Sequence, residues 1–214
     1  MTIRLEKMIP LPLLEQDIAG SGIWEVDSVL FETGKSYTVS AASGKGKTSL
    51  LSVIYGIRQD YHGEIYFGEN NIRSYTTRTW SSVRKERLSY IFQGLELFDN
   101  LTALENIQLK NSITGYKSQE EIRGMAAKLN MEPYLNRKAG ILSFGQQQRV
   151  AIIRALCQPF EFLLADECFS HMDQEISDSA LQLIQSECDI QKAGLILTSL
   201  KRSAIMGPET QLEL

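Results

Sequence analysis

Tyr37-Thr38-Val39-Ser40-Ala41-Ala42-Ser43-Gly44-Lys45-Gly46-Lys47-Thr48-Ser49-Leu50-Leu51 is the stretch that decides the fold. Tyr37 to Ser40 alternates bulky and small residues, as a short buried strand does. Lys47, Leu50, Leu51 and Ile54 have the spacing of an apolar helix face. Between the two lies Ala41-x-x-x-x-Gly46-Lys47-Thr48, a phosphate-binding loop in the strand-loop-helix setting its chemistry needs. Gly44 and Gly46 let the backbone turn N–H groups inward around a polyphosphate, and the helix directs its positive end at the same anion. Lys47 is placed to reach the β- and γ-phosphates, and the Thr48 hydroxyl to ligate Mg²⁺. The bland alternative is a glycine-rich turn that happens to precede a helix.

Strand and helix signals flank this loop on both sides. Ile3 to Met8 reads as a first strand closed by Pro10 and Pro12. After a turn at Ala19-Gly20-Ser21-Gly22, the stretch Ile23 to Phe31 alternates as a second strand should. His62 to Gly68 is a third, and Arg78 to Glu86 is a polar helix. Leu88-Ser89-Tyr90-Ile91-Phe92 runs straight into Gln93, either a loop cap or, behind a phosphate loop, a Mg²⁺ ligand and γ-phosphate sensor. From Leu101 to Leu129 the pattern is helical, with Thr102 and Ser118 as N-caps. We expect a helical subdomain over roughly 94–142, inserted in an α/β core.

Ser143 with Gln146 three residues on is a capping box opening a long helix. The same geometry, with the Ser143 hydroxyl and the Gly145 N–H at an exposed helix start, is also able to bind an anion. Phe162-Leu163-Leu164-Ala165-Asp166-Glu167 is an apolar strand ending in two carboxylates. These are surface charge on the plain reading. With the phosphate loop upstream, Asp166 becomes a Mg²⁺ ligand through water and Glu167 the base that polarises attacking water. Leu195 to Ser199 is a last buried strand, and Gln211 to Leu214 a short edge strand.

Composition sets the outer limits. A chain of 214 residues with 43% hydrophobic content suffices for one α/β domain with a real core, residues 1–214. No apolar run reaches membrane-spanning length. Charges at Arg4, Glu6 and Lys7 stand where a signal peptide needs an apolar core, so a cytoplasmic location is expected. The net charge of −4 and a pI near 5.4 argue against nucleic acid as a partner. The three cysteines lack metal-ligand spacing and read as reduced thiols.

Taken in order, these motifs resemble the ATP-binding cassette (ABC) family, the nucleotide-binding subunits of ABC transporters. The matching parts are the phosphate loop (Ala41–Thr48), the Gln loop (Gln93), the signature (Leu142–Gln146), the Asp-Glu strand (Phe162–Glu167) and the loop ending in Asp173. Arg87 to Gln93, Leu101 to Ile107 and Leu164 to Glu167 look most like the subgroup serving lipoprotein release, macrolide export and cell division. The resemblance implies a phosphate-loop NTPase core, with a mixed sheet, flanking helices and an antiparallel β edge. It implies ATP and Mg²⁺ as cofactors, with Ala41, Ala42, Ser43, Gly44, Lys45, Gly46, Lys47, Thr48 and Ser49 around the nucleotide. Lys47, Gln93 and Glu167 would act in ATP hydrolysis. Two cassettes, here a homodimer, would close head to tail so that Ser143, Gly145, Gln146 and Asp173 meet ATP across the interface. A transmembrane permease would dock near Gln93, holding the cassette on the inner face of the cell membrane.

The chain departs from the family pattern at four places. Phe144 replaces a signature Gly, and Cys168 replaces the Pro after the catalytic Glu. No clear aromatic residue falls where the family stacks adenine, Trp24 being the nearest candidate. Ser199 stands where the family has a His that contacts the γ-phosphate, and Ser is too short to span that distance or to become cationic. Slow hydrolysis is expected, with His171 a conceivable substitute. Two alternatives follow: a cassette that binds ATP and dimerises but hydrolyses poorly, acting as a clamp, and a soluble cassette acting on DNA or ribosomes.

Overall fold

The computed structural model describes residues 1–15, 18, 20–199 and 209–214. Its strands are β1 (Thr2–Pro10), β2 (Ser28–Glu32), β3 (Ser36–Ser40), β4 (Tyr61–Phe67), β5 (Asn70–Asn71), β6 (Leu88–Ile91), β7 (Phe162–Asp166), β8 (Gly194–Ser199) and β9 (Glu209–Glu213). Its helices are α1 (Lys47–Ile54), α2 (Thr77–Glu86), α3 (Ala103–Thr114), α4 (Gln119–Lys128), α5 (Phe144–Leu156) and α6 (Gln174–Gln191). The strand and helix signals of the sequence are met closely, with β9 bearing out the short edge strand. Thr102, Ser118 and Ser143 each close a full capping box, with Glu105, Glu121 and Gln146 respectively.

The exception is Ile23 to Phe31, of which only Ser28 onward pairs as a strand. The Ser21 Oγ accepts the amides of Ile23 and Trp24, at 3.2 and 2.9 Å, and folds this stretch into a turn. Ile23 and Trp24 are buried there without joining a sheet. The alternation in the sequence therefore reports two side chains packed inward from a turn. The turn's first residue, Ala19, lies outside the described residues.

Two sheets form. β2-β1-β4-β5 is antiparallel, while β6-β7-β8-β3-β9 is parallel throughout. The α/β fold is as expected, but the antiparallel strands make a sheet of their own rather than an edge on a mixed one. Successive side chains of the parallel strands serve opposite faces. Leu163, Ala165, Leu195 and Leu197 enter a core with α3 to α6. Phe162, Leu164 and Ile196 enter a second core with α1, α2 and the antiparallel sheet. Covered on both faces, β7 reads as an unbroken apolar run. Between Gly94 and Leu142 lie α3, α4 and two short 3-10 turns.

Phe162 is fully buried at the joint of β6, β7 and β8. A Cβ on Gly194, its register partner, would come within 2.3 Å of its ring. Truncation there leaves a hole the backbone cannot refill, so Phe162→Ala should cost about 3–5 kcal/mol. Urea unfolding measures this, and an unchanged midpoint would contradict the packing.

Among the described residues Cys157, Cys168 and Cys188 are free and buried. Burial pushes the thiols of Cys157 and Cys188 up to about 12, and that of Cys168 up as well. They carry no thiolate near neutral pH.

Candidate functional site

The parallel sheet delivers four chain segments to one end. β3 ends at Ser40 and runs into the glycine loop, β6 ends ahead of Gln93, β7 ends at Asp166, and β8 ends at Ser199. Because β8 lies between β7 and β3, its last residues touch both. Asp166 faces Thr198 in register, Ser40 faces Ser199, and the Ala41 amide donates to the Ser199 carbonyl at 3.3 Å.

The loop's helix differs from the others. Five of the six described helices receive a side-chain hydrogen bond at their N-cap; α1 receives none. Its cap is Gly46, in the left-handed region at φ 97°. A Cβ there would stand 2.5 Å from Leu13 Cδ1 and 3.2 Å from the Trp24 ring, so the left-handed φ favours Gly and the close packing adds to it. An uncapped helix start behind a glycine loop leaves amide hydrogens for an external anion.

Trp24 takes a role that differs from the adenine platform considered above. It is buried, packs beneath Gly46 and donates its Nε1 hydrogen to the Lys45 carbonyl at 3.3 Å. It supports the loop from below and offers no open face for stacking. Ser49 is also turned aside, its Oγ accepting from Arg58 Nη1 at 3.1 Å. Ala42, Ser43, Gly44 and Thr48 are exposed along the loop.

Lys47 is buried, with its Nζ 2.8 Å from the Ala41 carbonyl, 3.0 Å from that of Ala42 and 3.2 Å from Glu167 Oε1. The other Glu167 oxygen accepts from Gln93 Nε2 at 3.2 Å, and Gln93 Oε1 lies 3.4 Å from the Thr48 hydroxyl. Lys47, Glu167, Gln93 and Thr48 thus form one connected set.

Asp166 is fully buried beside them. Its Oδ1 accepts from Thr198 at 2.7 Å, while its Oδ2 has no partner. Burial pushes its carboxyl above the usual carboxylate range, the hydroxyls of Thr198 and Thr48 pulling the other way. An orphaned buried carboxylate oxygen near a hydroxyl and an amide oxygen suits a hard cation or its water. Thr48, Gln93 and, through water, Asp166 would hold Mg²⁺. Among the described residues no three His, Cys, Asp or Glu side chains form a cage, and water or phosphate oxygens would complete such a cation's shell.

The signature lies elsewhere. Ser143, Gly145, His171 and Asp173 line a separate pocket with Phe144 and Arg149, and no residue of the glycine loop reaches it. Ser143 Oγ accepts the Gln146 amide at 3.3 Å, leaving its hydroxyl hydrogen to be donated outward. Gln146 completes the box, its Oε1 accepting the Ser143 amide while its Nε2 hydrogens remain to be donated. Asp173 caps α6 through the Ile176 amide. Gly145 carries a constraint the sequence does not announce, since a Cβ there would meet the His171 carbonyl at 2.6 Å. Gln148, also unremarkable in sequence, is buried and ties α5 to the same loop through Ser170 Oγ and the His171 amide.

Glu167, Cys168, Thr198 and Ser199 share a pocket of about 350 Å³ closed by the start of α6. His171 is not among its walls. Its ring lies edge-on against Phe144 at 4.5 Å and its Nδ1 meets Ser170 Oγ at 2.8 Å. It belongs to the signature side and does not substitute at Ser199.

With this geometry in view, comparison with known proteins gives one answer. The family model described as ABC transporter matches residues 26–170. A thiamine import ATP-binding protein, ThiQ of Haemophilus influenzae, is 33% identical over 84% of this chain and 82% of its own. A lipoprotein-releasing system ATP-binding protein, LolD of Syntrophotalea carbinolica, is 33% identical over 72% of this chain and 69% of its own. Over the curated relatives matched first, the chain spans 63% to 82% of their length. The dimeric structure of MJ0796, a bacterial ABC transporter cassette, superposes with a TM-score of 0.77 at 24% identity, covering 99% of this chain and 94% of the other.

Proposed function

The chain belongs to the ABC transporter family as an ATP-binding cassette, and from that premise we propose that it is a Mg²⁺-dependent ATPase subunit, slowed by Ser199, that works as a homodimer on a membrane permease. The observation that carries this is the convergence of Lys47, Thr48, Gln93, Asp166 and Glu167 on one uncapped helix start. Loop amides and Lys47 bind and orient the polyphosphate. Mg²⁺ supplies positive charge to the phosphoryl oxygens when bound. Glu167 takes the proton of attacking water, and Gln93 orients that water from the other side.

A second copy brings Ser143, Gly145, Gln146 and Asp173 to the nucleotide, a reading supported by the separation of the signature pocket from the chain's own glycine loop. The permease docks near Gln93, placing the cassette on the inner face of the membrane. Among the described residues no helix is long and apolar enough to cross it. Of the named relatives, one imports thiamine and the other serves lipoprotein release. The wording of Arg87 to Gln93 and Leu101 to Ile107 supports the lipoprotein-release and macrolide-export side.

Ser199 supports the slow rate. It shares a pocket with Glu167, and the space there admits a larger side chain. Ser199→His should supply a missing γ-phosphate donor and raise steady-state ATP hydrolysis about tenfold, part of the roughly 10²–10³ that one well-placed donor is worth. The comparison is phosphate release by parent and variant, each blanked with Glu167→Gln. A fast parent with no gain on substitution would remove Ser199 as a lesion. Ser199 equally favours a second reading, a clamp that closes on ATP and turns over rarely; a parent no faster than its Glu167→Gln blank would select it.

A further inference from the structure

Glu167 sits at φ 46°, the left-handed region that a residue with a side chain enters only when something holds it there. What holds it is on the neighbouring strand. The Glu167 amide donates to Thr198 Oγ1 at 3.2 Å, and the same hydroxyl donates to Asp166 Oδ1 at 2.7 Å. Thr198 is 1% exposed, and the hydroxyl that would otherwise be an unpaired buried polar group is used in both directions. One buried oxygen therefore joins two consecutive residues with different duties. It fixes the rotamer of Asp166, whose other oxygen is left open, and it pins the backbone turn from which Glu167 projects.

We propose that Thr198 is a positioning residue for hydrolysis, its hydroxyl bridging Asp166 and the Glu167 amide so that the left-handed turn aims the Glu167 carboxylate at attacking water. This rests on the reading of Glu167 as the base. Buried as it is, Thr198 acts through its two neighbours. Parallel pairing of β7 and β8 puts Asp166 and Thr198 in register, so the bridge is built into the sheet. The Cys168 that follows Glu167 lacks the fixed φ of a proline, so the turn depends the more on this tie.

Thr198→Val keeps shape and removes the hydroxyl; Thr198→Ser keeps the hydroxyl; Thr198→Cys keeps the size with a weak donor and serves if the valine variant does not fold. In the full chain, Thr198→Val should lower kcat about 10²-fold, as misplacing a reacting group by an ångström does, with KM for ATP unchanged. Ser should restore the rate and Cys fall between. Amide hydrogen exchange at Glu167 should quicken in the Val and Cys variants and stay protected in the Ser variant, a readout independent of turnover. In a Glu167→Gln background, Thr198→Val should cost no further activity, since the group it aims is already gone. A valine variant as fast as the parent, a serine variant as slow as the valine one, or an unchanged Glu167 amide overturns the proposal. Full hydrolysis by Glu167→Gln alone overturns the base assignment instead, and the exchange result tells the two failures apart.

Discussion

Glu167→Gln should reduce ATP hydrolysis about 10²–10⁴-fold, the usual worth of a positioned general base, and yet favour the ATP-bound dimer. The substitution is isosteric. The turn at φ 46° and its amide bond to Thr198 are backbone features and survive it. A glutamine oxygen can still accept from Lys47 Nζ or from Gln93 Nε2, so the connected set need not collapse. What disappears is the proton acceptor and one negative charge. Asp166 and Glu167 are adjacent carboxylates, and each Glu167 charge also opposes the polyphosphate brought in by ATP. Neutralising it relieves that repulsion while hydrolysis is stalled, so the closed state should persist. Phosphate release and light scattering with ATP and Mg²⁺ check both halves. Undiminished hydrolysis would exclude Glu167 as base; a variant monomeric at high concentration with ATP would exclude a second copy as the partner.

The site was legible where its signals were local. A glycine loop between strand and helix, an apolar strand ending in Asp166-Glu167 and a Ser143/Gln146 box each lie within a few residues, and each appears where its spacing put it. Contacts between distant segments were not legible. Nothing near Trp24 in sequence says that its ring fills the space under Gly46, and the alternation around it imitated a strand. The close approach of the His171 carbonyl to Gly145, and the Gln148 bonds beside it, depend on how α5 meets the loop before α6. Thr198 looked like any β-branched residue in a buried strand. Its task is visible only once β8 is known to lie against β7.

Lys47→Ala should drive Mg-ATP binding below calorimetric detection. The ammonium has three donor hydrogens and no acceptor. All three are matched, by the Ala41 and Ala42 carbonyls and by Glu167 Oε1. Arriving phosphate oxygens can be met only by giving up one of these. Hydrogen bonds to charged groups contribute about 1.5–3 kcal/mol each, so two contacts to the β- and γ-phosphates are worth roughly 10²–10⁴ in Kd. The loop amides remain in the variant but lose the buried ammonium beside them, and two carbonyls lose their donor. Lys47→Met retains the apolar stem and serves as the control for packing. Either variant should keep a cooperative thermal transition while losing its ATP-induced rise in Tm. A Kd equal to the parent's in a folded Lys47→Ala protein would mean that nucleotide, if bound at all, is held somewhere other than this loop.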